Sequence, residues 1–264
     1  MNICMMSLTM QDSTPEEIVD IAVKCNMGAI DWITTHKSDP VWLGKISRDA
    51  GLEVAAYTPL DQAYINGEGN WKDEFKYSLE AAVSMGAPVM MVPPFALKKH
   101  PDMSEGRKYW TEFFAWATPL AKEAKVILTL ESTGFINSPI TTADENLEVL
   151  KNVPDLRLTF DNGNIETAES AVDAYAKLKD YVVRFHLKDW TIADQEFPGS
   201  DKKRCGKYFA MAAIGEGSVD LRTLWDSVIP EQKNFTVNLE TWKPSGEQFS
   251  LDEYRVICDR VRGW

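Results

Sequence analysis

Glu131, Asp161, His186 and Glu240 each close a short apolar run in the second half of the chain. In 126–131 one face carries Val126, Leu128 and Leu130, and the other Ile127, Thr129 and Glu131. The run 156–161 sets Leu156, Leu158 and Phe160 against Arg157, Thr159 and Asp161. In 182–186, Val183 and Phe185 oppose Arg184 and His186; in 235–240, Phe235, Val237 and Leu239 oppose Thr236, Asn238 and Glu240. Alternation of period two is that of a strand with two unlike faces. The polar faces carry a layer of Thr129, Thr159, Arg184 and Asn238. One step further along they carry Glu131, Asp161, His186 and Glu240 at matching depth. A single carboxylate at a strand end reads as a helix cap or a solvent-facing group; four consecutive runs ending this way read as a site. Three carboxylates aimed at one spot stay ionised together only beside compensating positive charge. A divalent cation supplies it. Oxygen donors with one imidazole suit Mn2+, Mg2+ or Co2+ better than a thiolate-seeking ion, and Mn2+ is the first expectation.

The elements that must position these groups repeat along the chain. A short apolar run followed by an amphipathic stretch occurs eight times, with runs at 2–8, 28–33, 52–57, 88–92, 126–131, 156–161, 182–186 and 235–240. Their lengths fit strands, and the stretches between them fit helices. Thr14-Pro15-Glu16-Glu17, Thr142-Ala143-Asp144-Glu145 and Ser250-Leu251-Asp252-Glu253 are capping boxes that open helices. Asn26-Met27-Gly28, Ala50-Gly51 and Met85-Gly86 each place Gly where a helix must stop before a strand. Strict alternation implies parallel strands with right-handed crossovers. Eight units point to an α/β fold of the (β/α)8 TIM-barrel type, one domain spanning 1–264. A doubly wound open sheet is the alternative. In a barrel the site lies at the C-terminal mouth. The connection at about 190–218 is long for a compact domain and is expected to be functional or mobile.

Composition narrows the function. Lys and Arg total 28 against 40 Asp and Glu, a formal net charge of −12. Such a surface repels polyanions, which argues against nucleic acid as a partner. The longest basic run, Lys202-Lys203-Arg204, reads as a solvated loop. Cys4, Cys25, Cys205 and Cys258 form no C-x-x-C pair, so neither a thiolate metal site nor a disulfide framework is expected. The N-terminal residues lack a basic region and a cleavage pattern, and no stretch reaches transmembrane length; no membrane association and a cytoplasmic location are expected.

The motifs Leu128-Thr129-Leu130-Glu131, Leu158-Thr159-Phe160-Asp161-Asn162-Gly163-Asn164, Phe185-His186-Leu187-Lys188-Asp189, Ile214-Gly215-Glu216-Gly217 with Val219-Asp220, and Val237-Asn238-Leu239-Glu240 resemble the sugar phosphate isomerase/epimerase group of the xylose isomerase-like TIM-barrel superfamily. Ketose 3-epimerases, hydroxypyruvate isomerases and inosose dehydratases belong to that group. The resemblance spans the chain and is strongest from Val126 onward. It implies that Glu131, Asp161, His186 and Glu240 are metal ligands, and that Glu131 and Glu240 are also the catalytic acid/base pair. In one respect the sequence departs from the pattern: the group usually has His three residues after the strand-six Asp, and here that residue is Asn164. An amide cannot shuttle protons, although it can hydrogen-bond a hydroxyl.

The resemblance implies a metal-dependent sugar isomerase or epimerase working by proton abstraction beside a carbonyl, through an enediolate. A lyase or dehydratase acting on a keto-sugar, keto-glycoside or cyclitol is the alternative that Asn164 leaves open. A non-catalytic subunit of a larger enzyme is a remoter one. An abasic-DNA endonuclease, which shares the barrel, needs a histidine-rich three-zinc cluster; this chain has only His36, His100 and His186. Asn164, Lys188, Trp190 and Trp242 are candidate substrate-binding residues for a small carbohydrate. Lys188, two residues past His186, could bind an oxyanion, act as an acid, or pair with a carboxylate. Asp189 reads as an orienting group and Trp32 as core packing. His36 could reach the mouth, and His100 carries little signal. A homo-oligomer or a partner subunit is compatible with the resemblance.

Overall fold

Strand-forming runs alternate with amphipathic helices, and only a layered α/β arrangement buries both. The computed structural model describes residues 1–264. Eight parallel strands close into a barrel: β1 (Asn2–Met6), β2 (Ala29–Ile33), β3 (Glu53–Thr58), β4 (Val89–Val92), β5 (Ile127–Glu131), β6 (Arg157–Asp161), β7 (Val182–Leu187) and β11 (Thr236–Leu239). β1 pairs with β11, so no edge is left open. The open-sheet alternative is thereby excluded. The surrounding helices are α1 (Pro15–Lys24), α2 (Pro40–Asp49), α3 (Trp71–Met85), α4 (Met103–Glu123), α5 (Ala143–Asn152), α6 (Asn162–Glu166), α7 (Ala171–Leu178), α8 (Leu221–Ser227) and α9 (Leu251–Arg262). None is long and apolar enough to cross a membrane.

The three capping boxes form as expected, with Thr14, Thr142 and Ser250 each accepting from the backbone N–H three residues on. Gly51 and Gly86 take left-handed backbone, at φ 78° and 79°. At the end of α1 that role falls to Asn26, at φ 53°, and not to Gly28. Gly28 is needed for space: a Cβ there would lie 2.2 Å from Asn2 Oδ1.

Outward strand residues pack on the helices. Phe160 and Phe185 meet edge-to-face, and Tyr175 of α7 and Trp225 of α8 pack against them. Each such fully buried aromatic contributes about 1.5–3 kcal/mol by removal from water. Trp32 also faces outward, donating to Ser47 Oγ of α2 at 3.1 Å, so it is core packing. Two expectations about the elements need adjusting. β1 stops at Met6, where a 3-10 turn (Ser7–Met10) begins. The long connection is not an irregular loop: β8 (Asp189–Ala193), β9 (Asp201–Lys202) and β10 (Tyr208–Ala212) form an antiparallel sheet in the order β8-β10-β9.

Candidate metal centre

β5, β6, β7 and the end of β11 deliver the four ligand-capable side chains. Glu131, Asp161, His186 and Glu240 each present a ligand atom, and these atoms all lie within 4.8 Å of one another. All four side chains are buried. Asp161 and His186 are direct partners across β6 and β7. The other two are staggered by two residues: Glu131 is in register with Thr159, and His186 with Asn238. Matching depth is therefore not matching register. Barrel strands tilt, and the tilt brings staggered positions to one height.

The deeper layer is a hydrogen-bonded floor. Thr129 and Thr159 share a hydrogen bond of 2.9 Å. Asp31 Oδ2 of β2 accepts from Arg184 NH2 and from Asn238 Nδ2, both at 2.6 Å. Although burial opposes it, the Arg184 guanidinium holds the Asp31 carboxyl below its ordinary range, with help from His186. Sequence reasoning passed over Asp31. The signal was available, as a lone carboxylate between Ile30 and Trp32 in an apolar strand.

His186 turns Nδ1 toward the cluster, 2.6 Å from Glu131 Oε1 and 3.2 Å from Glu240 Oε2. Its Nε2 looks down on the floor, 3.5 Å from Asp31 Oδ2. Burial alone would lower the pKa of the imidazole; the Glu131 charge and the hydrogen bonds of Asp31, Glu131 and Glu240 raise it well above the ordinary value. Burial, reinforced by the Glu240 and Glu131 charges, pushes Asp161 up to about 8 against the pull of Lys188. Gathering these carboxylates without a cation thus favours proton uptake by the cluster. Apart from its close approach to His186 Nδ1, the buried Glu131 Oε1 meets no hydrogen-bond donor. Three buried carboxylates and an imidazole nitrogen converging within 4.8 Å of one another fit a divalent cation, which would take oxygen and nitrogen donors together.

Lys188 sits on the same spot from above β7. Its Nζ is 2.6 Å from Glu240 Oε1, 3.2 Å from Asp161 Oδ2 and 3.1 Å from Asn164 Oδ1. Asn164 is the third residue of the short α6, which Asp161 caps. Its N–H donates to Asp161 Oδ1 at 2.8 Å and its Nδ2 to Asp161 Oδ2 at 2.8 Å and Ser132 O at 2.9 Å. Both ends of the amide are thus committed, to a carboxylate and to an ammonium. Asn162, also passed over in the sequence, exchanges two hydrogen bonds with the Lys188 backbone at 2.9 Å each. Gly163 makes room for the Lys188 stem: a Cβ there would approach Lys188 Cβ to 2.5 Å. Asp189 orients, as expected, accepting from the N–H groups of Gly215 and Gly217 at 2.9 Å and of Val219 at 3.2 Å.

A cavity of about 360 Å3 opens above the cluster. Glu131, Asn164, Lys188, Trp190 and Glu240 line it; Asp161 and His186 lie behind them. Half of the 22 lining residues are apolar, Met6, Leu8, Ile33 and Phe95 among them. Phe209 and Met211 of β10 close one side, which makes the 190–218 sheet part of the site. Trp242 is half-buried and is not among the lining residues. His36 bonds Ser7 Oγ through Nε2 at 2.9 Å and packs on Trp32, outside the lining. His100 packs on Tyr109, also outside it.

A family model for the xylose isomerase-like TIM barrel matches residues 41–262. The chain belongs to that family. Among curated proteins, none matches it in sequence. Solved structures of similar fold include a probable 3-DHS dehydratase, AsbF, from Bacillus anthracis, with a TM-score of 0.78 at 15% identity over 99% of both chains. The IOLI protein, solved with a zinc atom, gives 0.76 at 14% identity over 99% of this chain and 96% of that one. The 3-keto-D-glucoside 4-epimerase YcjR from E. coli gives 0.72 at 13% identity over 100% of both. At such identities the likeness is one of fold. Within this xylose isomerase-like barrel, the buried Glu131–Asp161–His186–Glu240 cluster at the mouth is a candidate divalent-metal site.

Proposed function

We propose that the protein is a divalent-metal-dependent isomerase or epimerase of a small sugar or keto-sugar, with Mn2+ at the Glu131, Asp161, His186 and Glu240 cluster. One observation carries this reading: of the four, only the two glutamates also line the cavity. They alone can touch both an ion and a substrate. Asp161 and His186, held behind by Lys188 and Asp31, serve only to fix the ion. A divalent ion bound there supplies electrophilic stabilisation of an oxygen next to the acidified C–H. Glu131 and Glu240 reach the substrate carbon from different strands, one removing the proton and the other returning it. Lys188 lies against Glu240 and keeps its carboxyl ionised, at about 2 in the absence of metal, despite burial. An ionised Glu240 is ready to act as the base. Asn164, Lys188 and Trp190 are proposed to bind substrate hydroxyls and a ring face.

A second reading is elimination. Asn164 carries no transferable proton, and its amide is already bound to Asp161 and Lys188. Lys188, which lines the cavity, is then the donor placed to protonate a leaving hydroxyl or alkoxide.

Elemental analysis of the wild type and Glu240→Gln, followed by incubation with ketoses and keto-glycosides in deuterated water, separates these. About one Mn, Mg or Co per chain, weakened by the substitution, with deuterium in recovered sugar, supports the isomerase. Loss of water or aglycone supports elimination. No bound metal, and no effect of Mn2+ on Tm, would sink both.

A further inference from the structure

Lys203 is a cation in the wall of the substrate cavity whose one ion-pair partner, Asp201, is long-range and solvated. Its side chain is only 10% exposed. Its Nζ lies 5.7 Å from the Trp190 ring centroid and 5.9 Å from that of Phe135. The nearest carboxylate, Asp201, is 3.9 Å away and 83% exposed, beyond hydrogen-bonding distance and well solvated. Lys188, the other cavity ammonium, sits 5.8 Å from the same Trp190 centroid but is neutralised by Glu240 and Asp161. Of the basic triplet 202–204, only Lys202 is solvated as the composition implies; the Lys203 and Arg204 side chains are largely buried.

The position of Lys203 is built. Its neighbour Arg204 forms a bidentate pair with Glu145 of α5, at 2.8 and 2.9 Å. Cys205 N–H donates to Thr167 O at 2.9 Å. These contacts dock the turn between β9 and β10 onto the barrel rim, and the stem of Lys203 then points into the same cavity that Glu131 and Glu240 line. Burial, aided by the Lys188 charge and opposed by Asp201, lowers the pKa of its ammonium. A desolvated cation in a half-apolar cavity is stabilised by an anion brought to it.

We propose that Lys203 forms a subsite for a carboxylate of the substrate, in the wall of the cavity that Glu131 and Glu240 also line. The substrate would be a sugar acid or hydroxylated keto acid rather than a neutral sugar. This rests on the reading of the mouth as a sugar site. A carboxylate is favoured over a phosphate because one compact ammonium awaits it. No arginine lines the cavity, and a phosphate ordinarily gathers several donors. The Trp190 and Phe135 faces beside Lys203 hold the ammonium in place by cation–π attraction.

Isothermal titration of the full-length protein with D-gluconate, D-glucitol and D-glucitol 6-phosphate tests this, with Mn2+ and after chelation. Gluconate and glucitol differ only in carboxylate against hydroxymethyl. The expected result is gluconate binding roughly tenfold tighter than glucitol. In Lys203→Met that preference falls to about twofold or less, with glucitol affinity and Mn2+ content unchanged, while Lys203→Arg keeps most of it. Equal binding of the two, failure of gluconate to bind at millimolar concentration, or a preference that survives in Lys203→Met overturns the subsite. Tighter binding of the phosphate than of gluconate overturns the choice of carboxylate. Loss of Mn2+ binding by the wild type would instead strike the metal-dependent function, and the Lys203 comparison in chelator would still stand.

Discussion

His186 stands between two sets of carboxylates: Nδ1 is 2.6 Å from Glu131 Oε1 and Nε2 is 3.5 Å from Asp31 Oδ2. The ring that would hold a cation on one side is thus backed by a buried carboxylate on the other. Such partners orient a metal-bound imidazole and raise its basicity. Asp31 also holds Arg184 and Asn238 in the hydrogen-bonded floor.

Asp31→Asn should therefore do two things. It leaves the Arg184 charge buried without its partner, which costs about 3–5 kcal/mol in urea denaturation. It also loosens His186, and Mn2+ affinity should fall by roughly tenfold to a hundredfold in a metal titration. Unchanged Mn2+ affinity in a folded variant would show that Asp31 supports the barrel and not the site.

Asn164 bridges the Asp161 carboxylate and the Lys188 ammonium. In Asn164→Ala, Asp161 Oδ2 loses a donor at 2.8 Å, and the expected loss of stability is about 1–3 kcal/mol. Asn164→Asp should cost more in metal-free protein, because a fourth carboxyl then meets Asp161 directly. Urea melts in the presence of a chelator give the order. An aspartate variant as stable as the alanine variant would contradict this account.

The docking of the β9–β10 turn should depend on pH through Glu145. Burial opposes its charge, but the Arg204 hydrogen bonds and the Thr142 and Thr141 N–H groups hold its pKa below the ordinary carboxyl value of 4.5. A carboxylate depressed in the folded state contributes stability that is fully present above the unfolded value and is lost as pH falls through the folded one. The Tm advantage of the wild type over Glu145→Gln should accordingly be constant near neutrality and shrink below pH 4.5. Amide exchange at Lys203–Tyr208 should speed up in Glu145→Gln, since Arg204 then loses its bidentate partner. An advantage that grows with acidity would refute the assignment.

Gly217→Ala should break the turn that Asp189 organises. A Cβ there would meet Asp189 Oδ1 at 2.2 Å and Trp190 O at 2.6 Å, and the backbone oxygen cannot swing aside. The expected cost is about 1–3 kcal/mol by thermal melting, with a changed Trp190 environment in near-ultraviolet circular dichroism. A neutral substitution would mean that the 214–217 turn is not held by Asp189.

Much of the barrel was legible in the chain because its signals are local. Short apolar runs of five to seven residues and three reciprocal capping boxes depend only on near neighbours, and each of the eight runs became a strand. Glu131, Asp161, His186 and Glu240 were legible for the same reason, as strand-end residues on the polar face. The exchange of Gly28 for Asn26 at the end of α1 marks the limit of such signals. Asparagine also tolerates left-handed backbone, and the real demand on Gly28 came from Asn2 across the sheet.

Sequence alone therefore determined the strand–helix alternation, the barrel class and the identity of the four residues that end its last strands. Tertiary structure decided how those residues meet and what else meets them. Asp31 and Arg184 are 153 positions apart, and Asp31 and Asn238 are 207 apart. Only closure of β1 on β11, with the strand tilt that closure imposes, brings them under one imidazole. Lys203 became a cavity residue through Arg204 and Glu145, which are 59 positions apart. No local pattern encodes a contact made across that distance, because it exists only once the barrel has fixed the positions of both ends.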